Sequence, residues 1–102
     1  MDWNRNNRIL DNVLQSIGLT PMISLSRIAE GVKPRVVAKI EYTNPSGSLK
    51  DRVVWNIVEE AEKRGDLKPG MILMEGTTGN TGIAVSMVGA VKGYKVVIVM
   101  PE

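Results

Sequence analysis

The sequence predicts an α/β fold, an open and mostly parallel sheet with helices on both faces. Two apolar runs of strand length, at residues 71–75 and 95–100, show no polar alternation. Such runs are typical of parallel strands that are covered on both faces. Helical segments separate the strands and the connections are short, so the second half of the chain predicts a βαβαβ unit. Sheets of this kind bind ligands beyond the carboxyl ends of their strands, which here are residues 44–48 and 76–80.

The first half of the chain contains shorter elements. Apolar residues between positions 8 and 17 recur at helical spacing, which predicts a helix over residues 8–17 that Gly18 follows. Residues 22–25 and 36–41 predict two short strands, separated by a loop with glycine and proline. We therefore expect residues 1–43 to form an N-terminal helix and a pair of strands.

The second half has clearer boundaries. Ser48 is a suitable N-cap for a helix with an apolar stripe, and Gly65 is expected to end that helix. A second helix is predicted over residues 81–92 and is apolar nearly all round, so we expect it to be buried. Gly82 and Gly89 would let this helix approach its neighbours closely.

Composition excludes several classes of chemistry. The 102 residues include neither cysteine nor histidine, so disulfides, thiolate chemistry and the commonest metal ligand and general base are absent, and we expect no metal site. Net charge is +2 with both signs mixed, which does not indicate nucleic-acid binding. The apolar runs are too short to span a membrane and the polar N-terminus is not a secretory signal, so we expect a cytoplasmic protein.

The segment from Gly76 to Gly82 places glycines and threonine hydroxyls at the start of a helix. Backbone N–H groups at such a position favour an anion, either a carboxylate or a phosphate. The segment is neither a dinucleotide-binding fingerprint nor a P-loop, so nucleotide binding is disfavoured. An ordinary strand-to-helix turn would use the same residues.

Lys50 occupies an unusual position in the first turn of the predicted helix. A cation there opposes the helix dipole, and a neutral amine is the nucleophile that forms Schiff bases. A solvated surface lysine is the plain alternative, and Asp51 and Arg52 look like ordinary charges at a helix start. The turn before Lys50 should open beside the anion-binding loop, which favours Lys50 as a covalent anchor for a cofactor.

Two motifs now point to a known family. Residues 44–52 (NPSGSLKDR), followed by residues 75–82 (EGTTGNTG), resemble the paired signature of cysteine synthase and cystathionine β-synthase. These are pyridoxal-phosphate enzymes of the tryptophan-synthase-β fold type, also called fold type II. The flanking residues 17–22, 65–70 and 93–102 match the same pattern in order.

The resemblance implies roles for individual residues. Lys50 would bind pyridoxal 5′-phosphate covalently and later move the α-proton of the substrate. Asn80 would donate a hydrogen bond to the phenolic oxygen of the cofactor. The α-carboxylate of the amino-acid substrate would be held by Thr77, Thr78, Gly79 and Thr81.

The implied reaction is β-replacement on an activated serine, with O-acetylserine and sulfide giving cysteine. Condensation of serine with homocysteine, and a non-catalytic fragment or interaction module, are the alternatives. Thr78 stands where the family usually has serine and Gly76 where proline is common. The extra methyl of Thr78 would crowd the substrate side, and Gly76 would loosen the entry to the loop.

The resemblance also implies an organisation into domains. Residues 1–43 would pack on a larger domain that this sequence lacks. Residues 44–102 would form half of the smaller, cofactor-binding domain, the N-terminal portion of the fold. We expect that these residues alone do not hold the cofactor productively and that the complete protein is a homodimer.

Overall fold

The computed structural model describes residues 2–102. It contains three short 3-10 helices, four strands and two α-helices. The strands and α-helices are β1 (Met22–Ser24), β2 (Val37–Lys39), α1 (Lys50–Arg64), β3 (Ile72–Gly76), α2 (Asn80–Lys92) and β4 (Lys95–Val99). The α/β class with a parallel sheet is confirmed, because β3 and β4 pair in parallel through the connecting helix α2.

The strands form two separate pairs. β1 pairs with β2 in antiparallel orientation, and β3 pairs with β4 in parallel. The prediction that β2 begins one βαβαβ sheet was therefore wrong. The antiparallel strand β1 provides the hydrogen-bond partners for the backbone of β2. Within the described residues, the parallel unit therefore consists of β3, α2 and β4.

The predicted helix over residues 8–17 was also wrong. A 3-10 helix covers only Val13–Ser16, because the Asn12 side chain accepts a hydrogen bond from the Leu14 N–H at 3.0 Å and starts a new turn there. Leu14 and Ile17 are buried, whereas Ile9 is 94% exposed. The apolar spacing thus identified two core residues but overestimated the length of the helix.

Helix α2 lies against one face of the parallel strands. Its Gly82 and Gly89 face β4, as the sequence predicts: a Cβ on Gly82 would lie 3.3 Å from Ile98 Cγ2, and one on Gly89 would overlap Val96 Cγ2. The helix is not buried all round, however, since Ile83 is 53% exposed. The buried residues are Gly82, Ala84, Val85, Val88 and Gly89.

The opposite face of the parallel strands is open. Side chains alternate along a strand, so Ile72, Met74 and Val99 point away from α2. They are 51%, 67% and 55% exposed. Within residues 2–102, the predicted cover on this second face is not present.

A polar network joins the N-terminal part of the chain to α1. Arg52 donates from Nε to Glu41 Oε2 at 2.9 Å and from Nη2 to Thr20 Oγ1 at 3.0 Å. Thr20 Oγ1 and Asn44 Nδ2 also donate to the Glu41 carboxylate, at 2.6 and 2.8 Å. Hydrogen bonds from Arg52 first, then from Thr20 and Asn44, lower the pKa of Glu41 to about 2.

Among the described residues, no helix is both long enough and apolar enough to cross a membrane.

The close contact at Gly89 predicts that Gly89→Ala destabilises the protein. Alanine improves helix propensity by about 1 kcal/mol, but its Cβ would overlap Val96, which is stiff at χ1. We expect a net loss of about 1–3 kcal/mol in the free energy of unfolding, measured with urea on the protein that carries this sequence. Ala90→Val, on the exposed side of the same helix, is the control and should change stability little. A higher unfolding midpoint for Gly89→Ala would contradict the packing described here.

The network around Glu41 predicts a stability that depends on pH. The pKa of Glu41 lies below its ordinary value of 4.5, at about 2 in the folded state. Its stabilisation is therefore present above pH 4.5 and is lost as the pH falls from 4.5 towards 2. Glu41→Gln should cost about 1–3 kcal/mol near pH 7.

Urea unfolding at several pH values checks this prediction. The difference between wild type and Glu41→Gln should narrow as the pH falls through that window. Glu59→Gln is the control, because Glu59 joins no ion pair within the part of the chain that the structure describes. A difference that is constant with pH would contradict the role given to Glu41.

Candidate active site

The turn before α1 fixes the backbone of Lys50. Gly47 N donates to Asn44 O at 2.8 Å, and Lys50 N donates to the Ser48 hydroxyl at 3.1 Å. The prediction that Ser48 is the N-cap of α1 was wrong: the helix begins at Lys50 with Leu49 at the N-cap, and no side chain within residues 2–102 caps it. The Ser48 hydroxyl instead closes the turn before the helix by accepting the bond from Lys50 N. Lys50 is half-buried.

The Lys50 side chain lines a groove between α1 and β3 with a volume of about 530 Å³. Lys50 and Glu75 are the charged residues of its lining, and Thr81 contributes a hydroxyl. The remaining lining is apolar and consists of Val53, Val54, Ile57, Val58, Ile72, Leu73, Met74 and Val85. An amine at one end of an apolar groove suits a small molecule with a carbonyl group and a flat apolar body.

The loop between β3 and α2 carries the predicted anion site. Thr77 N donates to Val99 O at 3.0 Å, which extends the parallel pairing by one bond, and Gly79 N donates to Thr77 Oγ1 at 3.2 Å. No described side chain caps the N-terminus of α2. The first N–H groups of α2 are therefore available to an anion, and the helix dipole favours one there.

The structure brings some of the predicted site residues together and separates others. Lys50 and Thr81 line the same groove. Thr77, Thr78 and Gly79 line a neighbouring cavity of about 500 Å³ on the other side of the loop. Asn80 is exposed at the first position of α2. Residues of the loop therefore line more than one cavity, and the Thr81 end is the part that shares a groove with Lys50.

Sequence analysis missed Asp51, which it treated as an ordinary charge at a helix start. Asp51 has no exposed surface, and its carboxylate accepts hydrogen bonds from the Ser46 backbone N–H at 2.8 Å and from the Ser46 hydroxyl. Arg52 was likewise treated as ordinary and instead joins the Glu41 network. The only available signal was the close spacing of Ser46 and Asp51 around the turn.

The chain is similar to known proteins. The family described as pyridoxal-phosphate dependent enzyme matches residues 13–102. Cystathionine beta-synthase of Apis mellifera is 47% identical over 97 residues, which are 93% of this chain and 19% of that protein. Cysteine synthase B of Salmonella typhimurium is 44% identical over 93 residues, which are 91% of this chain and 31% of that protein.

Solved structures agree with this similarity. The crystal structure of cysteine synthase from Entamoeba histolytica matches with a TM-score of 0.85 and 48% identity, over 96% of this chain and 30% of that chain. O-acetyl serine sulfhydrylase isoform 3 of the same organism matches with a TM-score of 0.89 and 44% identity, over 100% of this chain and 31% of that chain. The chain thus spans about a fifth to a third of the length of these relatives. Because the family match covers most of the chain, the chain belongs to the family of pyridoxal-phosphate dependent enzymes.

Proposed function

We propose that the protein carrying this sequence catalyses β-replacement on an activated serine, with O-acetylserine and sulfide giving cysteine. The observation that carries this proposal is the placement of Lys50 and Thr81 on one groove, with an uncapped helix N-terminus beside them. An amine and an anion site in this arrangement suit an amino acid held by its carboxylate next to a bound carbonyl cofactor. The relatives named cysteine synthase support the same reaction.

In this proposal Lys50 is the catalytic residue. Its Nζ would hold pyridoxal 5′-phosphate covalently and would take the α-proton of the substrate. The cofactor, when bound, would supply an electron sink for the electron pair left at the α-carbon. The half-buried amine at the rim of an apolar groove fits this group, because the groove has room for an aromatic ring. Asn80 would donate a hydrogen bond to the phenolic oxygen of the cofactor, a role that the family resemblance implies.

The hydroxyl-bearing loop would hold the substrate carboxylate rather than the cofactor phosphate. Its Thr81 end lies on the same groove as Lys50, so a group bound there lies next to the reacting amine. The family resemblance assigns the carboxylate to Thr77, Thr78, Gly79 and Thr81. Of these residues Thr81 lines the groove with Lys50, whereas the other three line the neighbouring cavity.

Condensation of serine with homocysteine is the alternative reaction. Cystathionine beta-synthases are among the relatives at similar identity, and nothing on the described groove selects the acceptor thiol. A non-catalytic binding module is the other alternative, and it would use the anion site without the lysine. Homodimer formation stays a prediction of the family resemblance, and a cytoplasmic location stays a prediction from the sequence.

We further propose that residues 1–43 pack on a larger domain, whereas residues 44–102 belong to the cofactor-binding domain. The strand pair β1–β2 supports this arrangement, because Met22, Ile23 and Val37 are 61%, 47% and 41% exposed. A strand pair of this kind needs an apolar partner surface to be stable.

Covalent labelling tests the role of Lys50. Pyridoxal 5′-phosphate is added to the protein, borohydride reduces the adduct, and mass spectrometry of peptides locates the modified lysine. We expect the label on Lys50, because its amine faces the groove that would hold the ring. Lys50→Arg should remove this label, whereas Lys33→Arg, a matched change in an exposed loop, should leave it unchanged. Label spread evenly over the exposed lysines would support the non-catalytic alternative.

A product assay separates the two reactions. The protein is incubated with pyridoxal 5′-phosphate and O-acetylserine or serine, with either sulfide or homocysteine as the acceptor. We expect cysteine to form from O-acetylserine and sulfide faster than cystathionine forms from serine and homocysteine. The reverse order of rates would favour the cystathionine synthase alternative, and Lys50→Arg should abolish whichever product forms.

A further inference from the structure

Lys50 is followed by two residues whose side chains are fixed by hydrogen bonds. Asp51 is bound to Ser46 across the preceding turn, and Arg52 belongs to the polar network around Glu41. The Asp51 carboxylate reaches back across the turn to both donors of Ser46, and Arg52 donates to Glu41 and Thr20. Successive side chains on a helix point in directions about 100° apart. When the directions of Asp51 and Arg52 are fixed, the direction in which the Lys50 side chain leaves the backbone is fixed as well.

We propose that Asp51 is a positioning residue for Lys50. The fully buried Asp51 carboxylate holds the turn that starts at Ser46 in the one arrangement that directs the lysine amine into the groove. This inference rests on the proposed role of Lys50 as the residue that binds the cofactor. Asp51 does not line the groove and its carboxylate is bound to Ser46, so its action passes through the backbone of the turn.

The chemistry of the Asp51 site supports a role beyond ordinary helix capping. Burying a carboxylate is unfavourable unless hydrogen bonds replace its water. Here its hydrogen-bond donors are a backbone N–H and a hydroxyl, and no described cation forms an ion pair with it. Lys50 does not pair with it, since neighbours in a helix do not face each other. A common cap would be exposed, whereas this carboxylate has no exposed surface.

The other side of the turn is anchored independently. Asn44, which begins the turn, accepts a hydrogen bond from Gly18 N at 2.9 Å and donates to the Glu41 backbone oxygen at 2.8 Å. Asn44 is 4% exposed. The turn is therefore fixed at Asn44, and the Asp51 carboxylate holds it at Ser46. Lys50 is the first residue of the helix that follows the turn. Loss of the Asp51 contact would free the segment between these two points.

The test measures how fast Lys50 is labelled, separately from how stable the protein is. Wild type, Asp51→Asn and Ser46→Ala are treated briefly with limiting pyridoxal 5′-phosphate and borohydride, under conditions in which each variant is folded. The label at Lys50 is divided by the label at Lys33. We expect this ratio to fall about tenfold to a hundredfold in Asp51→Asn, because a small misplacement of a reacting group costs that much. Ser46→Ala keeps the backbone donor, so its ratio should lie between the other two.

Gly89→Ala is the matched control, because it weakens the fold without touching the turn. Its labelling ratio should equal that of wild type. An unchanged ratio in both turn variants, or an equal fall in Gly89→Ala, would overturn the positioning role of Asp51. Absence of Lys50 labelling in wild type is a different result, which overturns the proposed function and with it this inference. If Asp51→Asn does not fold, the ratio measured for Ser46→Ala decides the matter alone.

Discussion

The close contact between α2 and the parallel strands is the constraint on which the rest of the structure depends. Gly82 and Gly89 lack side chains where α2 faces β4, and Ala84 and Val88 then pack with no exposed surface. The loop that joins the end of β3 to the first residue of α2 contains three residues, so the position of the helix restricts the position of the loop. The position of the hydroxyl-bearing loop is therefore a consequence of packing at two glycines, and its N–H groups gain their outward direction from the same contact.

Helix α1 takes its position from α2. Val54 and Val58 share one apolar core with residues of α2, and Glu62 fixes the far end of the pair. The Glu62 carboxylate accepts hydrogen bonds from Lys92 Nζ at 2.6 Å and from the Tyr94 hydroxyl at 2.8 Å, which lower its pKa. The first residues of α1 and α2 therefore lie side by side. Lys50 and Thr81 meet at one groove because both helices begin at the same end of the sheet.

The second half of the chain could be predicted closely from sequence, since its elements depend on local patterns. Apolar runs and terminal glycines placed α1, β3, α2 and β4 within a few residues of their observed bounds. The failures involve long-range choices. Residues 36–41 could pair with the preceding strand or begin the βαβαβ unit, and no local pattern decides between these two partners; in the structure β2 pairs with β1. The burial of Asp51 depends on how tightly the turn closes on Ser46, which residue types alone do not specify.

The buried polar side chains of the site have hydrogen-bond partners within the described chain, whereas several of its apolar side chains are still exposed. No buried side-chain nitrogen or oxygen among the described residues lacks a hydrogen-bond partner, so the turn at Asp51 and the Glu41 network are satisfied within this chain. The apolar wall of the groove is open, since Ile57 and Met74 are 61% and 67% exposed. The groove wall is therefore exposed, whereas hydrogen bonds within residues 18–52 fix the turn that precedes Lys50. Under the proposed function this division would suit catalysis, because a reacting group gains most when its geometry exists before the substrate binds.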